Sequence, residues 1–477
     1  MQGAADSGSF AAGSVPAERG AYVWAIAISV TLGGLLFGYD WVVIGGARQF
    51  YEVYFGLTST ALIGWANSCA LVGCLIGSLA AGTLADRFGR RRVLLVSAIL
   101  FAVSSALTGW AHLFASFIVW RITGGVAIGL SSNIAPLYIA EISPAEIRGK
   151  LVSLNQLAIV VGILLAQVVN WRIARPVPAD LSHHALLLSW NVQWGWRWMF
   201  FAVVAPAAVF ICTSIFLPES PRWLLTNHRR DEAKSILERV GGLFYAASEI
   251  SSIERSLVES SQENSLWADL LRPRFLRVVL IGIALAVLQQ WTGINTLFNY
   301  AEEVYRSAGY AANDIFLNIV ITGAINLIFT VLSMFLVDRI GRRWMMILGC
   351  AGIGISYLLC AYAYKAAWPP AAVLTLTLCA IACYALTLAP VTWVLIAEIF
   401  PNRIRSHGIS IAVSALWIAC FLLTYIFPAL DSLLGITGTF SLYGIICLLG
   451  LLFVMGFVRE TKGKTLEQIE ADMTVRH

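Results

Sequence analysis

The sequence predicts an all-α membrane protein: twelve transmembrane helices in two six-helix repeats, with short cytoplasmic helices in the loop between them. Three observations carry that expectation. Of 477 residues, 59% are hydrophobic and only 12% charged, far from the half-apolar, quarter-charged balance of soluble domains. Apolar runs recur along nearly the whole chain, each long enough to cross a hydrocarbon core of about 30 Å, which takes about 20 helical residues. Two charged motifs are each written twice: "GTLADRFGRR" (82–91) with "MFLVDRIGRR" (334–343), and "AEISPAEIRGK" (140–150) with "AEIFPNRIRSH" (397–407).

In chain order, residues 1–20 are small and polar without a basic cluster and read as a disordered tail rather than a cleaved signal. Spans follow at 22–44, 60–84, 93–111, 113–139, 151–171 and 198–217, making a first bundle over 21–217. The linker 218–276 contains "DEAKSILERV" (231–240), whose helical period with charges on one face predicts amphipathic cytoplasmic helices. Spans at 277–299, 313–337, 344–365, 371–397, 408–427 and 435–458 make a second bundle over 277–458, and 459–477 is a cytoplasmic tail. Motif offsets of 252 and 257 residues, with an even number of crossings per copy, give both copies one orientation. In such parallel repeats a substrate site commonly lies at mid-membrane between halves that rock against each other.

Lys and Arg concentrate in "DRFGRRR" (86–92), "IRGK" (147–150), the linker, "DRIGRR" (338–343) and "NRIRSH" (402–407). The positive-inside bias makes these loops and both termini cytoplasmic. The formal charge of +5 therefore reports topology, and no nucleic-acid partner is expected. The nine cysteines fall almost entirely in apolar spans without metal-type spacing, so neither a metal site nor a disulfide framework is expected. No Walker loop, metal cluster or nucleophile arrangement points to an enzyme or a cofactor.

Polar residues inside the spans carry the functional argument. "LLFGYDWVVIGG" (35–46) surrounds Asp40 with apolar and aromatic side chains, and a carboxylate at the bilayer centre costs at least about 2.5–3.5 kcal/mol. The strong cation inside a first-half span is Arg121, in "VWRITGGVAIGL". Protonation of Asp40 would dissolve a pair between them; a permanent tie between two helices is the alternative reading. "QQWTGIN" sets Gln289 and Gln290 ahead of Asn295, while Asn326, Trp393 and Trp417 come from later spans, Gln156 from the fifth and Phe37 from one turn before Asp40. Amides that both donate and accept, with aromatic walls, suit a sugar's hydroxyls and C–H faces; singly, each amide also fits a helix-to-helix hydrogen bond. Gly293 lets the "QQWTGIN" helix bend or pack closely, a candidate hinge for a gate.

In the loops, Gly89 and Gly341 permit tight reversals that set Asp86, Arg87, Arg90 and Arg91, and likewise Asp338, Arg339, Arg342 and Arg343, beside carboxylates at neighbouring helix ends. With Glu141, Arg148, Glu219 and Arg222 in the first half and Glu398, Arg405 and Glu460 in the second, they predict a network made only while the cytoplasmic side is shut. The alternative is that they fix topology and anchor helices at the headgroups.

Taken in order, "GYD", "DRFGRRR", "RITGGVAIGL", "YIAEISPAEIRGKLVSLNQ", "PESPRWLL", "QQWTGIN", "VDRIGRR", "WVLIAEIFPNRIRS" and "ETKGKTLEQIE" resemble the sugar porters of the major facilitator superfamily. The chain is most similar to their bacterial proton-coupled pentose and hexose symporters, with animal glucose facilitators further off. The resemblance implies alternating-access symport of a monosaccharide with protons across a lipid bilayer, with no cofactor, by a functional monomer. It assigns Gln156, Gln289, Gln290, Asn295, Asn326 and Trp393 to sugar-binding positions, Phe37 and Trp417 to walls, and the charged loops to conformational latches. It also favours Asp40, tuned by Arg121, as the proton carrier, since this aspartate is an asparagine in many facilitators. A passive uniporter is the main alternative and a non-transporting sugar sensor a lesser one. Five positions depart from the pattern. Ile163 stands where such symporters carry a sugar-binding glutamine, Leu416 and Cys420 replace polar residues flanking Trp417, Ala389 replaces a glycine, and Asn299 replaces the first tyrosine of a pair, leaving Tyr300. Short outer loops without an Asn-x-Ser/Thr sequon fit a bacterial inner membrane.

Overall fold

The computed structural model describes residues 17–176, 183–262, 270, 272–401, 404–462 and 468; residues 1–16 of the expected tail lie outside them. No strand occurs among the described residues. The first half comprises α1 (Ala17–Phe55), α2 (Thr60–Phe88), α3 (Arg90–Gly109), α4 (Phe114–Ile142) and α5 (Ala145–Ile173). It continues with α6 (His183–Leu187), a π-helical turn Asn191–Gly195, α7 (Trp196–Phe201) and α8 (Val204–Phe216). Residues 17–20, expected in the tail, thus begin α1.

The linker forms α9 (Pro221–Thr226), α10 (Arg230–Gly241) and α11 (Leu243–Gln262). These close on a small core of their own, built on Trp223, Leu224, Leu237, Ala246 and Ile250. The second half comprises α12 (Pro273–Trp291), α13 (Ile294–Asn299), α14 (Ala301–Ser307), α15 (Ala312–Ile340), α16 (Arg342–Lys365), α17 (Pro370–Leu386), α18 (Leu388–Glu398) and α19 (Arg405–Phe457).

Among the described residues, 11 helical segments are long and apolar enough to cross a membrane. The last is broken at Gly435, φ 65° and ψ 171°, and makes two crossings, which completes twelve. Two further breaks have local causes. Gly293 takes φ 79° between α12 and α13, a left-handed conformation open to glycine. Between α17 and α18, Pro390 has no N–H to offer the carbonyl of Leu386, and Thr387 leaves helical geometry at φ −126° and ψ −84°.

Within the first half α1 packs on α5 and α2 on α4; within the second, α16 and α12 pack on α19. The α2–α4 contact is backbone to backbone. A methyl group on Gly73 would lie 2.0 Å from the Ile122 carbonyl, and one on Gly125 1.9 Å from that of Ala70, the close approach that small residues allow between membrane helices. The halves meet along two seams, α2 against α19 and α5 against α15, with α1 also against α13. Side chains such as Phe216, Phe335, Leu433 and Leu452 remain exposed around the rim, as an apolar belt facing hydrocarbon requires.

Candidate transport site

Asp40 and Arg121 meet in the first half. Helix α1 presents Asp40 and α4 presents Arg121, with side chains 1% and 3% exposed. Arg121 Nη1 donates to both carboxylate oxygens, at 2.9 and 3.0 Å, and Nη2 reaches the Asp40 backbone carbonyl at 3.4 Å. One nitrogen therefore serves two oxygens, a weaker arrangement than the two-pronged fork a guanidinium can make, and Nε meets no partner among the described residues. The ring of Phe200 lies 5.4 Å from the guanidinium carbon. Gly124 sits beneath the carboxylate, where a methyl group would come within 3.5 Å of Asp40 Oδ2. The pair is thus sealed from water.

The second-half amides form a chain. Asn295 Nδ2 donates to Gln290 Oε1 and, at 3.3 Å, to Cys420 Sγ; Gln290 Nε2 donates to Gln289 Oε1 at 2.6 Å; Gln289 Nε2 donates to Tyr384 Oη at 2.8 Å. Cys420, one of the departures, thus serves as a weak acceptor. The chain spans the Gly293 break, so bending there would separate Asn295 from Gln290. Gln156 and Asn326 have no side-chain hydrogen bond within the described residues, which leaves their amides free for a ligand. Phe37, Trp41 and Trp417 form a triangle with centroids 6.1–6.2 Å apart, and Trp417 Nε1 donates to Ser78 Oγ across the α2–α19 seam at 3.1 Å. Trp393 is exposed. Sequence reading missed Trp41, Phe200 and Tyr384, because an aromatic residue in an apolar run reads equally as lipid-facing or core.

The arginine-rich face carries two copies of one arrangement. In the first half Arg90 makes a fork with Glu141, Nε at 3.0 Å and Nη2 at 3.1 Å, and Nη1 lies 3.1 Å from Asp86. Glu219 accepts from the backbone of Arg90 and Arg91 at 2.8 and 3.1 Å, while Arg91 caps the Ile215 carbonyl at the end of α8. In the second half Glu460 accepts from the backbone of Arg342 and Arg343 at 2.9 and 3.1 Å, but Arg342 reaches Glu398 through one contact of 3.4 Å. Gly89 and Gly341 have φ 90° and 101°, and a methyl group on either would strike the Glu219 or Glu460 carboxylate, at 2.3 and 2.7 Å.

Arg148 reaches the carbonyl of Ser143, and Arg405 that of Phe400. Arg87 lies over the Phe88 ring, Arg339 is exposed, Arg222 has no side-chain partner among the described residues, and the Asp338 side chain lies outside them. Each ion pair described here joins elements of one half.

The opposite face is where the halves are tied. Arg48 of α1, buried with its side chain 10% exposed, pairs with Glu52 at 2.8 Å and with Glu303 of α14 at 3.0 Å, and lies 4.7 Å from the Tyr300 ring. Arg306 pairs with Glu302 and donates to Gln49 of the first half at 3.2 Å. Burial pushes the Glu302 carboxyl above the ordinary carboxylate range, with Arg48 and Arg306 pulling it back. The structure is therefore closed on this face.

A profile of sugar (and other) transporters matches residues 26–473. The D-xylose-proton symporter of Escherichia coli K12 is 37% identical, over 94% of this chain and 95% of its own. The arabinose-proton symporter of Bacillus subtilis is 34% identical over 96% and 97%. The inward-open structure of the E. coli xylose transporter XylE superposes with a TM-score of 0.82 at 36% identity, over 94% of this chain and 99% of that one.

Proposed function

The chain belongs to the sugar (and other) transporter family, and from that premise we propose that it carries a monosaccharide into the cell together with protons. It works as a monomer in a bacterial inner membrane, with the arginine-rich face and both termini cytoplasmic. The sealed Asp40–Arg121 pair carries this reading.

With the external side open, Asp40 takes a proton, the pair dissolves, and sugar binds between Gln156 and Asn326 and the amides Gln289, Gln290 and Asn295, against Phe37, Trp393 and Trp417. Rocking closes Arg48 on Glu303 and opens the cytoplasmic side. Sugar leaves, the proton follows, and Arg121 recaptures the carboxylate. The state described here, closed externally with the pair made, matches the step after proton release. A membrane potential contributes about 2.3 kcal/mol per charge per 100 mV, so the cycle can accumulate sugar. The charged cytoplasmic loops act as latches whose partners change with state. Sugar added to proteoliposomes is expected to alkalinise the outside. Sugar flux without that proton movement would make the protein a passive uniporter.

A further inference from the structure

We propose that Gln167 is a specificity-determining residue of the external half of the cycle, binding sugar hydroxyls in place of the amide that Ile163 lacks. The inference rests on the sugar-carrier reading above. On α5, Gln156, Ile163 and Gln167 stand at i, i+7 and i+11, one stripe of the helix surface. Ile163 interrupts the polar stripe and Gln167 resumes it one turn further out.

Gln167 is 1% exposed, and neither Oε1 nor Nε2 has a hydrogen-bond partner among the described residues. Burying an amide without partners is unfavourable, and leucine would fill an apolar seam better, so the residue calls for a reason. The element opposite is α15, of the other half. A methyl group on Gly323 would lie 1.8 Å from Gln167 Oε1, so the α5–α15 seam makes room for this side chain by keeping glycine at 323. Three residues on, and so on the same face, is the buried amide of Asn326.

Side chains lean toward the N-terminus of their own helix. Because α5 and α15 run in opposite directions through the membrane, Gln167 leans inward toward mid-membrane and Asn326 leans outward. Two amides from different halves therefore converge on one level of the seam. Opening the external side parts Gln167 from Gly323 and bares its donor and acceptor to arriving sugar; closing returns the amide to its place on Gly323. Such a residue binds sugar more tightly in the outward-facing state than in the inward-facing one, and differential affinity of that kind is what lets a ligand bias a conformational equilibrium.

The test is sugar exchange in de-energised proteoliposomes, which needs no proton coupling. D-xylose, D-glucose and L-arabinose are each compared with their monodeoxy analogues, for wild type, Gln167→Leu and Ile163→Gln/Gln167→Leu; Gln167→Met serves if the leucine variant fails to fold. The expected result is a KM for external sugar raised about tenfold, the scale of one lost hydrogen bond, with the KM for internal sugar unchanged. One deoxy analogue that binds the wild type more weakly than its parent should bind Gln167→Leu as well as the parent does, and Ile163→Gln should restore the difference. An analogue pattern identical in wild type and Gln167→Leu, or an equal loss on both sides of the membrane, would overturn the proposal. A wild type that takes none of the three sugars overturns the carrier reading itself, a result distinct from an unchanged analogue pattern.

Discussion

The two halves share one arrangement of loops and helices but hold it with different bonds. In the first, Arg90 grips Glu141 through two nitrogens, and the most deeply buried of the described ion pairs, Asp40–Arg121, belongs to it. In the second, one contact of 3.4 Å joins Arg342 to Glu398, and polar side chains of the interior form an amide chain running over a broken helix to Tyr384. The difference teaches a division of labour. On the proposed function, the first half would handle charge on a rigid frame, and the second would handle hydroxyls on helices broken at Gly293 and at Thr387.

The sharpest way to break that division is to leave the charge without its partner. Arg121→Met strands Asp40 in oil, and removing one member of a buried pair costs about 3–5 kcal/mol; thermal unfolding in detergent should fall steeply, and Asp40→Asn added to it should recover much of the loss. Gln290→Leu cuts the amide chain at its middle. Sugar affinity should drop about 10- to 100-fold, in line with about 1–3 kcal/mol for unmatched polar groups, while the proton-to-sugar ratio of whatever flux remains stays constant. A change in that ratio would mean that the halves do not divide the work.

A smaller contrast separates the two loops. Glu141→Ala removes the acceptor of a buried fork and should cost about 2–3 kcal/mol of stability, against about 1 kcal/mol for Glu398→Ala at its partly exposed 3.4 Å contact with Arg342, read as the two variants' unfolding midpoints. Equal losses would erase the asymmetry. The mildest effect belongs to the seam tied by Arg48 and Glu303. Burial raises the Glu302 carboxyl while the seam is closed, so closure binds a proton more tightly than opening does. The closed form therefore gains as pH falls and loses that gain as pH rises through the raised value. Spin-label distances across the seam in an Asp40→Asn background should shorten toward acid pH, and Glu302→Gln should flatten the response.

Much of this was legible in the chain itself. Twelve crossings follow from the apolar runs, and the Asp40–Arg121 pair follows because oil offers a lone carboxylate few partners. The break at Gly293 was legible from a glycine beside polar residues. Other features were not. Whether Trp41 or Tyr384 faces lipid or cavity depends on how α1 and α17 are rotated against their neighbours, which an evenly apolar span does not encode. Gln167 passed unnoticed for a related reason: one amide in "ILLAQVVNW" gains meaning only when Gly323 of the other half is seen beneath it. The loop carboxylates were identified, but which half each would bond to depends on tertiary approach, not on spacing.

The central claim is that the charge moved by the first half is the proton on Asp40. Proteoliposomes bearing Asp40→Asn, given an inward pH gradient, test it most directly. The account predicts that sugar equilibrates by exchange at a rate near wild type yet never exceeds its outside concentration. Accumulation above that level by the asparagine variant would contradict it.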